Sequence, residues 1–192
     1  MTKAKLDLVW IEHWIDDPIY LQAHLATLSW QQESIRLFGR PIKVPRQVLW
    51  MADDGIQYRY SGIDHHPVAW TAPIAALRAR LEDTFAVKLN SVLGNYYRNG
   101  HDSMGWHSDN EIALGPQPAI ASVSLGAERR FCFRHRTTSE RFEIRLPSGS
   151  LCWMMGDCQR DWQHALPKMR ALQDPRYNLT FRFVHIKPSK RQ

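Results

Sequence analysis

From Asn90 to Val184 the chain consists of short apolar segments cut at close intervals by turn-forming clusters. The breaks fall at Arg98-Asn99-Gly100, Leu114-Gly115-Pro116, Thr137-Thr138-Ser139, Pro147-Ser148-Gly149 and Asp174-Pro175. Between these breaks the apolar runs are short and read as strands rather than as helices. Strands are therefore predicted at 89–97, 119–125, 129–135, 141–146, 150–155, 161–166 and 177–186. Many short strands in succession have to pair into layered sheets, because each can bury only one face alone.

The upstream part reads differently. Asp16-Asp17-Pro18 is a helix start, an Asx cap followed by proline in the first turn. The helix is predicted from Ile19 to about Leu37, ending near Phe38-Gly39-Arg40-Pro41. Residues 42–61 read as short strands around a turn at Asp53-Asp54-Gly55, and 67–71 as loop. A second helix is predicted over Ile74–Phe85, with Ile74, Leu77, Leu81 and Phe85 at helical spacing. The expected fold is α+β: a double-stranded β-helix (jelly roll) behind N-terminal helices. With 192 residues and no repeat or linker, one domain is expected over 1–192, N-terminal helices over 1–88 and a strand core over 89–186.

Composition narrows the class. The chain is 44% hydrophobic and 23% charged, ordinary for a globular protein, and no apolar run approaches the ~18 residues of a membrane span. The N-terminal segment lacks the apolar stretch and cleavage site of a secretory signal. Three cysteines (Cys132, Cys152 and Cys158) form no CxxC pair, which suits free thiols in a reducing, intracellular compartment, cytoplasmic or nuclear. A net charge of +6 favours a polyanionic partner.

Two segments carry candidate chemistry. In GWHSDNE, His107 and Asp109 are two residues apart, so an extended backbone points both side chains the same way. His164, in WQHAL, can complete two imidazoles and one carboxylate, the facial set that holds non-heme Fe(II) with open positions. With nine histidines in the chain, a surface HxD and an unrelated His164 remain the alternative. Downstream, strict alternation puts Tyr177, Leu179, Phe181 and Phe183 on one face, and Arg176, Asn178, Thr180 and Arg182 on the other. That polar face is either solvated or the inside of a barrel, where arginines fork onto carboxylates. Arg176 and Arg182 stand about 20 Å apart along a strand, so they divide the labour rather than clamp one group.

Taken together these residues resemble the AlkB family of Fe(II)/2-oxoglutarate dioxygenases. The resemblance rests on HxDxE (His107, Asp109, Glu111), ASVSLG (121–126), FRH (133–135), LPSGSL (146–151), HALP (164–167) and PRYNLTFR (175–182), in that order. GNYYRNG (94–100) resembles the strand before the metal motif. FGRPIKVPR (38–46) and YSG (60–62) resemble the nucleotide-recognition segment of the homologue 2 and 3 branch. The resemblance implies that His107, Asp109 and His164 bind Fe(II), and that Arg176 grips the distal carboxylate of 2-oxoglutarate near Asn95, Tyr97 and Asn178. Arg182 would support the metal-proximal end. It implies oxidative demethylation of N-alkylated bases such as 1-methyladenine or 3-methylcytosine, in DNA or RNA. O2 would be consumed, and formaldehyde, succinate and CO2 released, by an enzyme expected to act as a monomer.

On the substrate side, Phe38 matches an apolar finger inserted into the base stack, and Arg46 a segment near the flipped base. Trp50 and Met51 occupy the recognition loop, where the branch carries a tyrosine in place of Met51. Either serves as a stacking partner or belongs to the core. Glu111 suits the cationic ring of a methylated base. Arg129, Arg130, Arg134, Arg136, Arg141 and Arg145, with Lys168 and Arg170, are read as a phosphate-binding rim. A dioxygenase of protein or small molecules and a binding module without chemistry are the competing classes.

Overall fold

The computed structural model describes residues 5–37, 40–56, 58–60, 63–65 and 67–185. It opens with a strand that the sequence pattern did not announce, β1 (Leu8–Ile11). Helix α1 (Pro18–Ala26) starts as predicted, with the Asp17 carboxylate accepting from the Tyr20 N–H at 2.9 Å. Its predicted continuation to Leu37 is overturned. The Thr27 N–H and hydroxyl both return to the His24 carbonyl, and the Trp30 indole N–H takes the Leu25 carbonyl at 2.9 Å. The Trp30 ring then packs on Tyr96 and Tyr177. Those contacts from distant strands end the helix, and Ser34–Leu37 (β2) pairs antiparallel with Arg40–Lys43 (β3) instead.

Strand β4 (Gln47–Ala52) and the short antiparallel pair β5 (Tyr58–Tyr60) and β6 (Ile63–His65) precede helix α2 (Ala72–Phe85). Ile74, Leu77 and Leu81 of α2 are buried, as their spacing predicts. The remaining strands are β7 (Ser91–Tyr97), β8 (Met104–His107), β9 (Ile120–Gly126), β10 (Arg129–His135), β11 (Arg141–Leu146) and β12 (Ser150–Met154). The predicted strand 161–166 begins with one short helical turn, α3 (Cys158–Asp161), before β13 (Trp162–Leu166). The last strand, β14 (Arg176–Arg182), is shorter than predicted, and Phe183 beyond it is exposed.

A six-stranded sheet runs in the order β1-β12-β9-β14-β7-β4, and a four-stranded sheet in the order β11-β10-β13-β8. Of the three buried clusters among the described residues, two hold the faces of the larger sheet. One lies outside the larger sheet, where Leu21, Leu25, Ile74 and Leu81 of the helices pack on Val92, Val123, Leu151, Leu179 and Phe181. The other lies between the sheets, where Tyr97, Ile120, Cys152 and Met154 meet Phe131, Phe133, Ile144, Leu146 and Leu166. Strand β14 pairs with β7 on one side and β9 on the other, so all seven of its residues are buried. The choice left open by its alternation is thereby decided: Tyr177, Leu179 and Phe181 face the helices, and Arg176, Asn178, Thr180 and Arg182 face inward.

Candidate active site

Cross-strand register builds the site. In the antiparallel ladder between β8 and β13, His107 lies directly opposite His164, and a bulge follows toward the Met104–Leu166 pair. The two Nε2 atoms face each other at 3.1 Å, and His107 Nε2 lies 3.9 Å from Asp109 Oδ1. One ligand atom from each of the three residues falls within 4.8 Å of the others. The His107 Nδ1–H donates to the Gly105 carbonyl at 2.8 Å, which leaves the Nε2 lone pair for the centre of the site.

The charge states favour a metal ligand set. Burial pushes the Asp109 carboxyl up, but Arg182, His164 and His107 more than reverse this and hold it at about 2. Its Oδ2 accepts from Arg182 Nη2 at 2.9 Å, with both side chains buried. Burial first, and His107 second, push His164 down to about 3, so its ring is neutral at physiological pH. The His164 Nδ1 is buried and has no hydrogen-bond partner among the described residues. A carboxylate and two converging imidazole nitrogens, gathered without a carbonyl or hydroxyl to satisfy them, are the donor set of a divalent transition metal.

These three residues share a cavity with Asn95, Tyr97, Arg176, Asn178 and Arg182. All five expected cofactor residues thus line the same space as the triad. Arg176 Nη2 donates to Ser124 Oγ at 2.8 Å, and its Cζ lies 5.3 Å from the Tyr97 ring centre. Burial pushes the Arg176 guanidinium down to about 10, with Tyr97 opposing and Arg129 adding to the fall. Asn178 donates to Ser122 Oγ at 2.8 Å and accepts from Thr180 Oγ1 at 3.1 Å. A buried guanidinium held only by neutral groups calls for an anion.

The substrate-side expectations fare unevenly. Phe38 lies outside the described residues. Arg46 is only 4% exposed and does not face out: its Nε donates to Asn95 Oδ1 at 2.7 Å, so it supports the cavity wall from behind. Trp50 and Met51 are 4% and 2% exposed and pack into different clusters, Trp50 with Leu93 and Val184, Met51 under the helices. Neither is placed to stack on a base, because β4 is covered on both faces. Glu111 is half-buried, and its Oε2 is buried without a hydrogen-bond partner among the described residues. Arg134 projects from the outer face of β10, over the Trp106 ring at 4.6 Å and with Nε bonded to Gln163, while Arg170 is exposed.

The basic rim is also smaller than its arginine count. Arg129 is wholly buried, Arg130 pairs with Glu143 at 2.7 Å, and Arg145 pairs with Glu128 at 3.6 Å. Strand alternation sends Arg129 inward, away from the rim that the charge run suggested. Sequence reasoning missed Gln159 altogether. It is 1% exposed, and its Oε1 accepts from the Asp109 backbone N–H at 2.9 Å. Its position five residues before His164 was the only available signal.

This jelly roll, with HxD and a distant histidine beside inward arginines, fits the 2OG-Fe(II) oxygenase superfamily, whose sequence pattern matches residues 8–182. The alpha-ketoglutarate-dependent dioxygenase alkB homolog 3 of Homo sapiens is 41% identical over 154 residues, 75% of this chain and 53% of that protein. The DNA oxidative demethylase ALKBH2 of Mus musculus is 37% identical over 165 residues, 82% of this chain and 68% of that protein. The chain belongs to the AlkB family of Fe(II)/2-oxoglutarate-dependent dioxygenases, in the branch of homologues 2 and 3. It spans about half the length of the homologue 3 relatives. The solved structure of OsALKBH1 superposes with a TM-score of 0.70 over 94% of this chain and 100% of that one, at 14% identity, and shares the fold. Among the described residues no helix is long and apolar enough to cross a membrane.

Proposed function

We propose that this chain is a monomeric, single-domain enzyme that removes N-methyl groups from alkylated bases in DNA, with RNA as the alternative polymer. The observation that carries the reading is one cavity with a metal donor set at one end and a buried arginine lacking an anion at the other. His107, Asp109 and His164 would hold Fe(II); Arg176 and Tyr97 would take the distal carboxylate of 2-oxoglutarate. Fe(II), when bound, supplies the coupling of O2 to oxidation of 2-oxoglutarate, with succinate and CO2 as products.

The chain's own residues do the rest. Arg182 fixes the Asp109 carboxylate and leaves one oxygen toward the histidines. Asn95 and Asn178 present amides along the cavity wall between the two ends. Phe131, Leu93 and Leu166 line the remainder with apolar surface, which excludes water from the reacting methyl group. Glu111, whose buried Oε2 lacks a partner among the described residues, is suited to a cationic methylated ring or an exocyclic amine. Hydroxylation of the methyl carbon gives an N-hydroxymethyl base, which releases formaldehyde and the unmodified base. A base within a duplex has to be extruded to reach such a cavity. Exposed Lys168 and Arg170, with Arg134, supply phosphate contacts without sequence choice.

Incubation with Fe(II), 2-oxoglutarate and an oligonucleotide containing 1-methyladenine tests the reading. Formaldehyde release that disappears in His107→Ala is the expected result. Succinate formation indifferent to methylated DNA and RNA, but stimulated by another methylated compound, would remove nucleic acid from the proposal.

A further inference from the structure

Arg129 was read from the sequence as one arginine of a surface run, and it is wholly buried at the start of β10. A buried guanidinium needs either a carboxylate or several carbonyls. Arg129 has the second. Nη2 donates to the Asp102 and Pro167 carbonyls, each at 2.8 Å, and Nη1 to the Asn99 carbonyl at 3.3 Å. These carbonyls belong to the segment between β7 and β8 and to the segment after β13, so one side chain ties both histidine-bearing strands' connections together.

Its charge is not cancelled there. The nearest acid, Asp102, has both carboxylate oxygens on Arg98, each at 2.8 Å. Arg129 Cζ lies 5.7 Å from the centre of the Tyr97 ring, and Arg176 Cζ lies 5.3 Å from the same centre. The phenol is therefore flanked by two buried cations, and neither guanidinium is bonded to a carboxylate among the described residues. The Nε of each is buried, with no hydrogen-bond partner among the described residues. Two like charges gathered in a low-dielectric interior repel, and the arrangement is relieved when an anion enters beside them.

We propose that Arg129 is a positioning and specificity residue for the co-substrate: it holds Tyr97 and sets a second buried positive charge behind Arg176, which selects a 2-oxo acid with a distal carboxylate. The inference rests on the 2-oxoglutarate reading given above. Arg176 meets the carboxylate, and Arg129 acts on it through space and through the placement of Tyr97. At a separation of about 10 Å and an effective dielectric of about 20, the second charge strengthens binding of the carboxylate on the order of tenfold.

Calorimetric titration of the anaerobic Fe(II)-loaded protein separates charge from scaffold. Two acids are compared: 2-oxoglutarate, and 2-oxovalerate, which has the same 2-oxo acid end and no distal carboxylate. Arg129→Gln keeps amide donors for the carbonyls and removes the charge. It is expected to weaken 2-oxoglutarate about tenfold and to leave 2-oxovalerate unchanged. Arg129→Lys keeps the charge, and is expected to retain the preference for 2-oxoglutarate within about threefold even if thermal stability falls. Equal weakening of both acids in Arg129→Gln reduces Arg129 to a structural tie and overturns the inference. If that variant does not fold, loss of the preference in Arg129→Lys overturns it as well. An unaltered chain that binds neither acid overturns the co-substrate reading itself, and this inference with it.

Discussion

Replacement of Gln159 by leucine tests how the carboxylate of the metal site is held. Gln159 Oε1 is the acceptor for the Asp109 N–H at 2.9 Å, and both residues are buried. Leucine has nearly the same volume, so the change removes an acceptor with little cavity. The side chain's other bond, from Nε2 to the Met154 sulfur at 3.4 Å, is weak. The orphaned N–H is expected to cost about 1–3 kcal/mol, which for a chain of this length lowers Tm by about 2–10 °C. The larger consequence is local. Asp109 follows β8 by two residues, and the Gln159 bond anchors its backbone while Arg182 anchors its carboxylate. Freed on one side, the carboxylate is expected to lose metal affinity by about ten- to a hundredfold, the usual effect of removing a group that orients a ligand. Anaerobic Fe(II) titration by calorimetry, with thermal unfolding of the metal-free protein alongside, measures both. Gln159→Glu, buried and protonated, keeps an acceptor oxygen and is expected to restore most of the affinity. Wild-type affinity in Gln159→Leu, with Tm lowered, would refute the positioning role.

Other consequences concern stability, thiols and substrate. Burial pushes the Asp102 carboxyl up, but the side-chain and backbone bonds from Arg98 reverse this and hold it below the usual carboxylate range. Its stabilisation is therefore full above an unfolded value of about 3.9 and fades as pH falls through the lower folded value. Asp102→Asn is expected to lose about 1–3 kcal/mol at neutral pH, and a difference from wild type that persists at the lowest pH where both fold counts against this. Burial pushes the Cys158 thiol up to about 12 and the Cys152 thiol further, and burial with Glu143 raises the half-exposed Cys132. At pH 8 a thiol reagent should label Cys132 alone and slowly, and all three only in denaturant; rapid native labelling of Cys152 contradicts the burial. Phe38→Ala, at a position outside the described residues, is expected to lose more activity on duplex than on single-stranded methylated DNA; equal losses remove its role in base extrusion.

Period-2 patterns survived into the structure, and patterns that depend on distant partners did not. The faces of β14 were legible because alternation is a local property of an extended backbone, and burial between β7 and β9 only had to supply neighbours. The helix predicted through Leu37 failed because Trp30 is claimed by Tyr96 and Tyr177, residues far along the chain. Trp50 and Met51 were each open to stacking or to the core, and the packing of β4 between two buried clusters decided for the core. The arginine run of β10 misled for the same reason: its first member turns inward and the next, Arg130, pairs with Glu143.

The sequence alone therefore determined the types of donor, the two-residue spacing of His107 and Asp109, and the shared face of Arg176 and Arg182. Each follows from the geometry of a single extended segment. Only the tertiary structure decided that His164 stands across from His107, that Gln159 anchors Asp109, and that Arg129 lies with Arg176 around Tyr97. Register between strands and the sign of a buried charge's surroundings are set by partners tens of residues away, and no local pattern encodes them.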